Sequence, residues 1–278
     1  MRLKIIEKAK TRLATAAGWA LAPTKESLER IDWIKWANHF VSNAENRSEP
    51  AWETLPELSP ERIRNLLPSL QQFELGDGGG PACLIAFNAE RFRRFAPEAR
   101  MVIDAWFAEE KEHSRLLGCA VARFRGELIS THWSFAAFCL VRRLFGVRFE
   151  LQALLLTEIV SAAYYRLLRK HCGDKPLEEM CSLILRDEAG HIAFHLDRLA
   201  AADESMLGIR RRAWQAQFWG MGLVAATVLW ANHGRYLVPL GATTREYYRE
   251  VRAAISKFVS ELMQQVVSVH AQAELASR

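Results

Sequence analysis

Apolar residues recur at helical spacing along almost the whole chain, and this leaves one fold class open to it. The periodicity predicts helices at 2–20, 26–42, 59–76, 82–95, 98–122, 130–144, 148–171, 177–202, 207–231 and 243–273. Few breakers stand between them: 42–56, the run Asp77-Gly78-Gly79-Gly80-Pro81, Ala96-Pro97, 171–176 and 233–244. With 15 Gly and 9 Pro in 278 residues, the chain falls below the usual combined share of about 12%. No segment alternates polar and apolar residues as a half-buried strand does. The expectation is an all-α protein, a single domain overall. Residues 57–204 would form a four-helix bundle, 1–56 a helical arm before it, and 205–278 further helices packed on it.

Composition removes several classes of function. A net charge of +5, from 37 basic and 32 acidic residues, is too small and too scattered for a nucleic-acid surface. The five cysteines (Cys83, Cys119, Cys139, Cys172, Cys181) are odd in number, widely spaced and without a C-x-x-C pair. They argue for reduced thiols and a cytoplasmic location over a disulfide framework or a zinc knuckle. The stretch nearest to a membrane span, Phe218–Ala231, has fourteen residues and reads as a buried core helix, so no membrane contact is expected. At the start, Arg2, Lys4, Lys8, Lys10 and Arg12 loosely imitate an export leader, but Glu7, Gly18 and Trp19 spoil the pattern. Leu3, Ile6, Leu13 and Ala17 follow helical spacing instead. No Ser/His/Asp arrangement, phosphate loop or dinucleotide fingerprint is present.

Two Glu-x-x-His pairs carry the chemistry: Glu110/His113 within AWFAEEKEH and Glu188/His191 within LILRDEAGH. Three residues apart on a helix, a carboxylate and an imidazole share one face with Cβ atoms about 5–6 Å apart, which suits one metal ion. Glu and His are common enough for two such pairs to mean little by count. Their setting means more. Ile103, Trp106 and Phe107 lead into the first pair and Cys181, Ile184 and Leu185 into the second. Both acids therefore point inward, where an unpaired charge costs several kcal/mol. Glu109 and Asp187, each one residue earlier, are placed either to orient the imidazoles or as ordinary surface charges.

Glu158, inside LQALLLTEIVSAA, is a third inward acid. It and Glu188 are equidistant from residue 173, so an antiparallel hairpin sets them level. The same register about 95–97 asks for an acid near 81–82, opposite Glu110. Asp77 misses by four or five residues, Glu74 by about seven and Glu90 by about eight, so Asp77 is the first choice and Glu74 the second. One carboxylate from each of two helices, with Glu-x-x-His from two others, is a set that holds two metal ions, and four carboxylates would offset two divalent charges. His195 and Tyr165 fall near this face, as a supplementary ligand and a proton or radical carrier or as ordinary core residues. Trp106, Phe107, Trp133, Phe135 and Phe138 suit an apolar pocket or plain core packing equally well.

At these motifs the chain resembles a known superfamily. LRDEAGH is similar to the second motif of ribonucleotide reductase small subunits, and AEEKEH to the first motif of acyl-carrier-protein desaturases. The nearer likeness is to bacterial ferritin-like proteins of unassigned function. In those, a segment like LQQFELGD is followed by AEExxH, by LTxEI with a following YY, and by LRDExxH. The likeness covers about residues 66–200. It implies a ferritin-like four-helix bundle with one long crossover between His113 and Glu158. The ligands it implies are Asp77, Glu110, His113, Glu158, Glu188 and His191. The chain departs from the pattern at Asp77, where a longer acid is usual, and in the glycines that follow.

The resemblance further implies a non-haem di-iron oxidase or oxygenase that uses dioxygen to oxidise an apolar small molecule. Glu158 and Glu188 would be the shifting or bridging acids of catalysis, and the cofactor two iron ions or a manganese/iron pair. Electrons would come from an external ferredoxin- or flavin-type reductase, since the chain shows no flavin or iron–sulfur motif. A homodimer is left open. The alternatives are a non-catalytic ferritin-like metal-binding protein and a helical interaction protein whose centre has degenerated.

Overall fold

The computed structural model describes residues 30–78, 83–87, 89–90, 97–202 and 209–276. Among them the regular structure is α1 (Trp33–Glu45), α2 (Pro60–Gly78), α3 (Pro97–Arg123), α4 (Trp133–Leu144), α5 (Val147–His171) and α6 (Lys175–Ala202). α7 (Ile209–Leu237), a 3-10 turn (Val238–Leu240) and α8 (Thr244–Ala276) complete it. An isolated bridge joins Phe87 to Gly146. The protein is all-α, as the periodicity predicts. The helix expected at 2–20 lies outside the described residues.

Three boundaries differ from the periodic pattern, each for a physical reason. The helix expected over 26–42 is broken at 30–32 and α1 starts at Trp33, because the Asp32 side chain accepts the backbone N–H of Lys35 at 2.8 Å and caps it there. Residues 83–87 are not helical. The Glu150 carboxylate takes the N–H groups of Ile85 and Ala86, both at 2.8 Å, and Arg142 donates to the Cys83 carbonyl. Side chains from distant positions thus satisfy this backbone in place of a helical ladder. α7 runs through His233 and Gly234, because His233 turns inward to Ser69 (Nδ1 to Oγ, 2.8 Å); the chain breaks later, at Pro239 and Gly241 (φ +118°).

α2 packs along α3, α5 along α6, and α3 on α6. Tyr164 of α5 closes the ring, with its hydroxyl 2.7 Å from Ser69 Oγ and its face stacked on Phe73 of α2. α1 lies on α3 and α6, α4 on α5, α7 on α5 and α2, and α8 on α5, α6 and α7. The apolar interior falls into two clusters. One holds Leu116, Leu155, Ile159 and Ile184, the other Phe107, Leu154 and Phe194. Among these apolar residues Glu110 and His113 of α3, Glu158 of α5, and Glu188 and His191 of α6 turn inward together, a polar seam in the core. Among the described residues, no helix is long and apolar enough to cross a membrane.

Candidate metal centre

The seam depends on register. Gly173 (φ +62°) ends α5, and Asp174 then accepts the Leu177 N–H and pairs with Arg123 at 3.0 Å. This short turn sets α5 and α6 as a hairpin and brings Glu158 level with Glu188. One donor atom from each of Glu110, Glu158, Glu188 and His191 lies within 4.8 Å of the others. His191 Nδ1 stands 3.1 Å from Glu110, 3.5 Å from Glu188 and 3.9 Å from Glu158. His113 is outside this tight group, but its Nδ1 is 3.9 Å from the other oxygen of Glu110. Glu110 therefore presents one oxygen to each histidine.

The two motifs brace each other across α3 and α6. Glu109 accepts from His191 Nε2 at 2.9 Å, and Asp187 stands 3.1 Å from His113 Nε2. A carboxylate can only accept, so each Nε2 carries the hydrogen and each Nδ1 is left to face the acids. Arg47, just beyond α1, ties the pair together, with Nη2 2.7 Å from Asp187 and 3.3 Å from Glu109. Arg186 adds contacts of 3.1 Å to Asp187. Glu109 and Asp187 were legible as neighbours of the motifs; Arg47, in an irregular segment, had no sequence signal.

Charge makes this arrangement demanding. Burial, then the neighbouring acids, push Asp77 well above the usual carboxylate range. Burial likewise lifts Glu158 well above it and Glu188 above it. Burial would also raise Glu110, but the imidazole of His191, 3.1 Å away, outweighs it and holds Glu110 low. Burial works against protonation of His191, yet the bond to Glu109 and the nearby carboxylates of Glu110 and Glu188 raise it well above 6.5; Asp187 raises His113 in the same way. The buried Nδ1 atoms of both histidines, both oxygens of Glu158 and Oε2 of Glu188 make no hydrogen bond. Such atoms call for a cation. The donor set, imidazole nitrogen with carboxylate oxygen, fits borderline and harder divalent ions such as iron and manganese.

Asp77 sits in the last turn of α2, lines the same cavity as Glu110, Glu158 and Glu188, and feels the charges of Glu110 and Glu188. Glu74 is engaged elsewhere, accepting from Ser114 Oγ at 3.0 Å. The buried Tyr165 hydroxyl lies against Asp77 without a regular hydrogen bond. His195 is buried with Nε2 3.8 Å from Glu158, and its Nδ1 accepts from Arg198 at 3.0 Å. That bond assigns the remaining hydrogen to Nε2, so neutral His195 faces Glu158 as a donor rather than as a ligand.

A cavity of about 460 Å³ opens onto the acids. Trp106, Phe107, Trp133, Phe135 and Phe138 all line it, with Met221 and Leu229 of α7 opposite. His233, which carried no sequence signal, lies at its wall. Arg142 is the cation of the lining, and Glu150 neutralises it at 2.9 Å. Comparison of the chain with protein-family models, curated proteins and solved structures returns no match.

Proposed function

We propose that this chain is a ferritin-like di-metal carboxylate protein which, loaded with two iron ions or a manganese/iron pair, acts as a non-haem oxidase or oxygenase on an apolar small molecule. One observation carries the reading. Two buried imidazoles, each locked by the acid that precedes the other Glu-x-x-His motif, turn Nδ1 atoms without a hydrogen bond onto a cluster of acids in which Glu158 and one oxygen of Glu188 have none either. Asp77, Glu110, His113, Glu158, Glu188 and His191 would hold the ions. When bound, the metal pair supplies activation of dioxygen and a two-electron oxidation. Glu110, rather than Glu158, faces both histidines. Glu158, whose oxygens make no hydrogen bond, is the acid with freedom to shift. The aromatic walls hold an apolar substrate against this face and exclude water. Electrons come from an external ferredoxin- or flavin-type donor. The size and apolar lining of the cavity favour substrate oxidation over metal storage.

Anaerobic purification, reconstitution with ferrous iron or manganese, and elemental analysis test the centre. About two ions per chain are expected, and fewer than about one overturns the reading. A loaded protein that consumes dioxygen without altering any organic compound offered would instead be a metal-handling protein.

A further inference from the structure

We propose that the face formed by α4 and α7 around the cavity mouth rests on an anionic lipid surface, from which the cavity draws its substrate. The second half rests on the cavity being a substrate pocket; the lipid contact does not.

α4 turns its apolar stripe outward. Trp133, Leu140, Val141 and Leu144 are 64%, 59%, 41% and 44% exposed, and their spacing of 7, 8 and 11 residues puts them on one side of the helix. Arg142, on the opposite side, is buried against Glu150. A helix packed by the usual rule would show its arginine and hide its leucines. On α7 the neighbouring outward positions include Leu223, Val224 and Val228, all more than 40% exposed. Trp133, Val141, Val224 and Val228 also line the cavity, so the apolar patch and the cavity wall are one surface. Exposed apolar ground of this kind around a pocket marks a contact site.

Charge identifies the occupant. α4 and α7 contain no acid, in a chain with 32, and two arginines stand exposed at the patch: Arg143 on α4, and Arg235 on α7, 7 and 11 residues after Val228 and Val224 and so on their side of the helix. Arg143 is exposed beside Leu144. Apolar side chains flanked by arginine, without a carboxylate, suit the interface of a bilayer carrying anionic headgroups. A second copy fits poorly. A two-fold contact would bring Arg143 and Arg235 of both copies together with no acid on α4 or α7 to pair them, and would also seal the mouth. Contact would be at the surface only, since among the described residues no helix can cross a membrane.

Flotation of the full chain, metal-free and metal-loaded, with vesicles of three parts phosphatidylcholine to one part phosphatidylglycerol tests this. Both forms should float, with affinity at least about tenfold above that for pure phosphatidylcholine and reduced by salt. The double variant Leu140→Glu, Leu223→Glu changes exposed residues that do not line the cavity. It should lower binding at least about tenfold while keeping the wild-type circular dichroism and metal content. Arg143→Glu should remove the preference for phosphatidylglycerol. Wild-type protein that stays unbound overturns the proposal. So does a folded double variant that floats equally well, or a solution dimer that this variant turns into a monomer. Flotation by a chain that takes up no metal would leave the lipid face standing and sink the di-metal reading; metal uptake without flotation would do the reverse.

Discussion

Asp187 can only accept a hydrogen bond, and that decides which nitrogen of His113 is left for a metal. Asp187→Asn can donate as well as accept, so the imidazole loses its fixed tautomer. Metal affinity should fall by about 10–100-fold, read by competition with a chromophoric chelator, while the fold survives. Wild-type affinity in the variant would show that the bond does not orient the ligand. Protons compete for the same atoms. Asp77, Glu158 and Glu188 sit above the usual carboxylate range when folded. Each therefore costs stability progressively as pH rises from its ordinary value toward its folded one. His113 and His191, raised above 6.5, act in the same direction, their contribution complete below 6.5 and lost as pH climbs through the folded values. Glu110 and Asp187 are held low, so their contribution disappears only toward the acid end. From about pH 7 upward, where histidines held low such as His195 and His233 are neutral folded or unfolded, the metal-free protein should melt at a lower temperature at about pH 8.5 than at about pH 7, whereas the metal-loaded protein should not, the ions having replaced the protons. A metal-free melting temperature that rises over that interval would refute this proton balance.

The α2–α3 contact shows how closely two helices must approach to present these atoms. A Cβ on Gly78 would stand 2.1 Å from Ser114 Oγ and 2.5 Å from Ser114 Cβ, and the second distance is not relieved by a rotamer change. Gly78→Ala should push α2 from α3 one residue after Asp77 and beside His113. It should cost about 1–3 kcal/mol in chemical denaturation and weaken metal binding. Gly76→Ala, with nothing within 4 Å of the added carbon, should be neutral or stabilising by up to about 1 kcal/mol. Equal effects at the two sites would mean that the close approach is not what Gly78 provides. Helices and the α5–α6 turn were legible in the sequence because their signals are local: an apolar period, Gly173, a capping Asp174. Residues 83–87 were not, since the group that unwinds them, Glu150, lies about 65 positions away and an apolar period cannot report it. His233 and Gly234 imitate a break for the same reason, their inward partner Ser69 being far off in the chain.

At the scale of the molecule, five aromatic residues that spacing alone assigned equally to core or pocket line one cavity, and four of the six expected ligands share one point. The outward face of α4 was hidden from sequence reasoning for a simple reason. Periodicity locates an apolar stripe but not the side of the helix on which its partner stands, and here nothing among the described residues covers it. The cavity and the centre are nonetheless separable by experiment, because their residues differ. Ala153 lines the cavity on α5, more than one turn before Glu158, and contributes no donor atom. Ala153→Phe places a ring in a cavity of about 460 Å³ without replacing any donor atom of the centre. Metal content and melting temperature should stay at wild-type values, while turnover of a bulky apolar substrate falls at least about tenfold and that of a small one falls less. Equal loss for both sizes, or loss of metal, would mean that this space belongs to the packing of the centre and does not receive substrate.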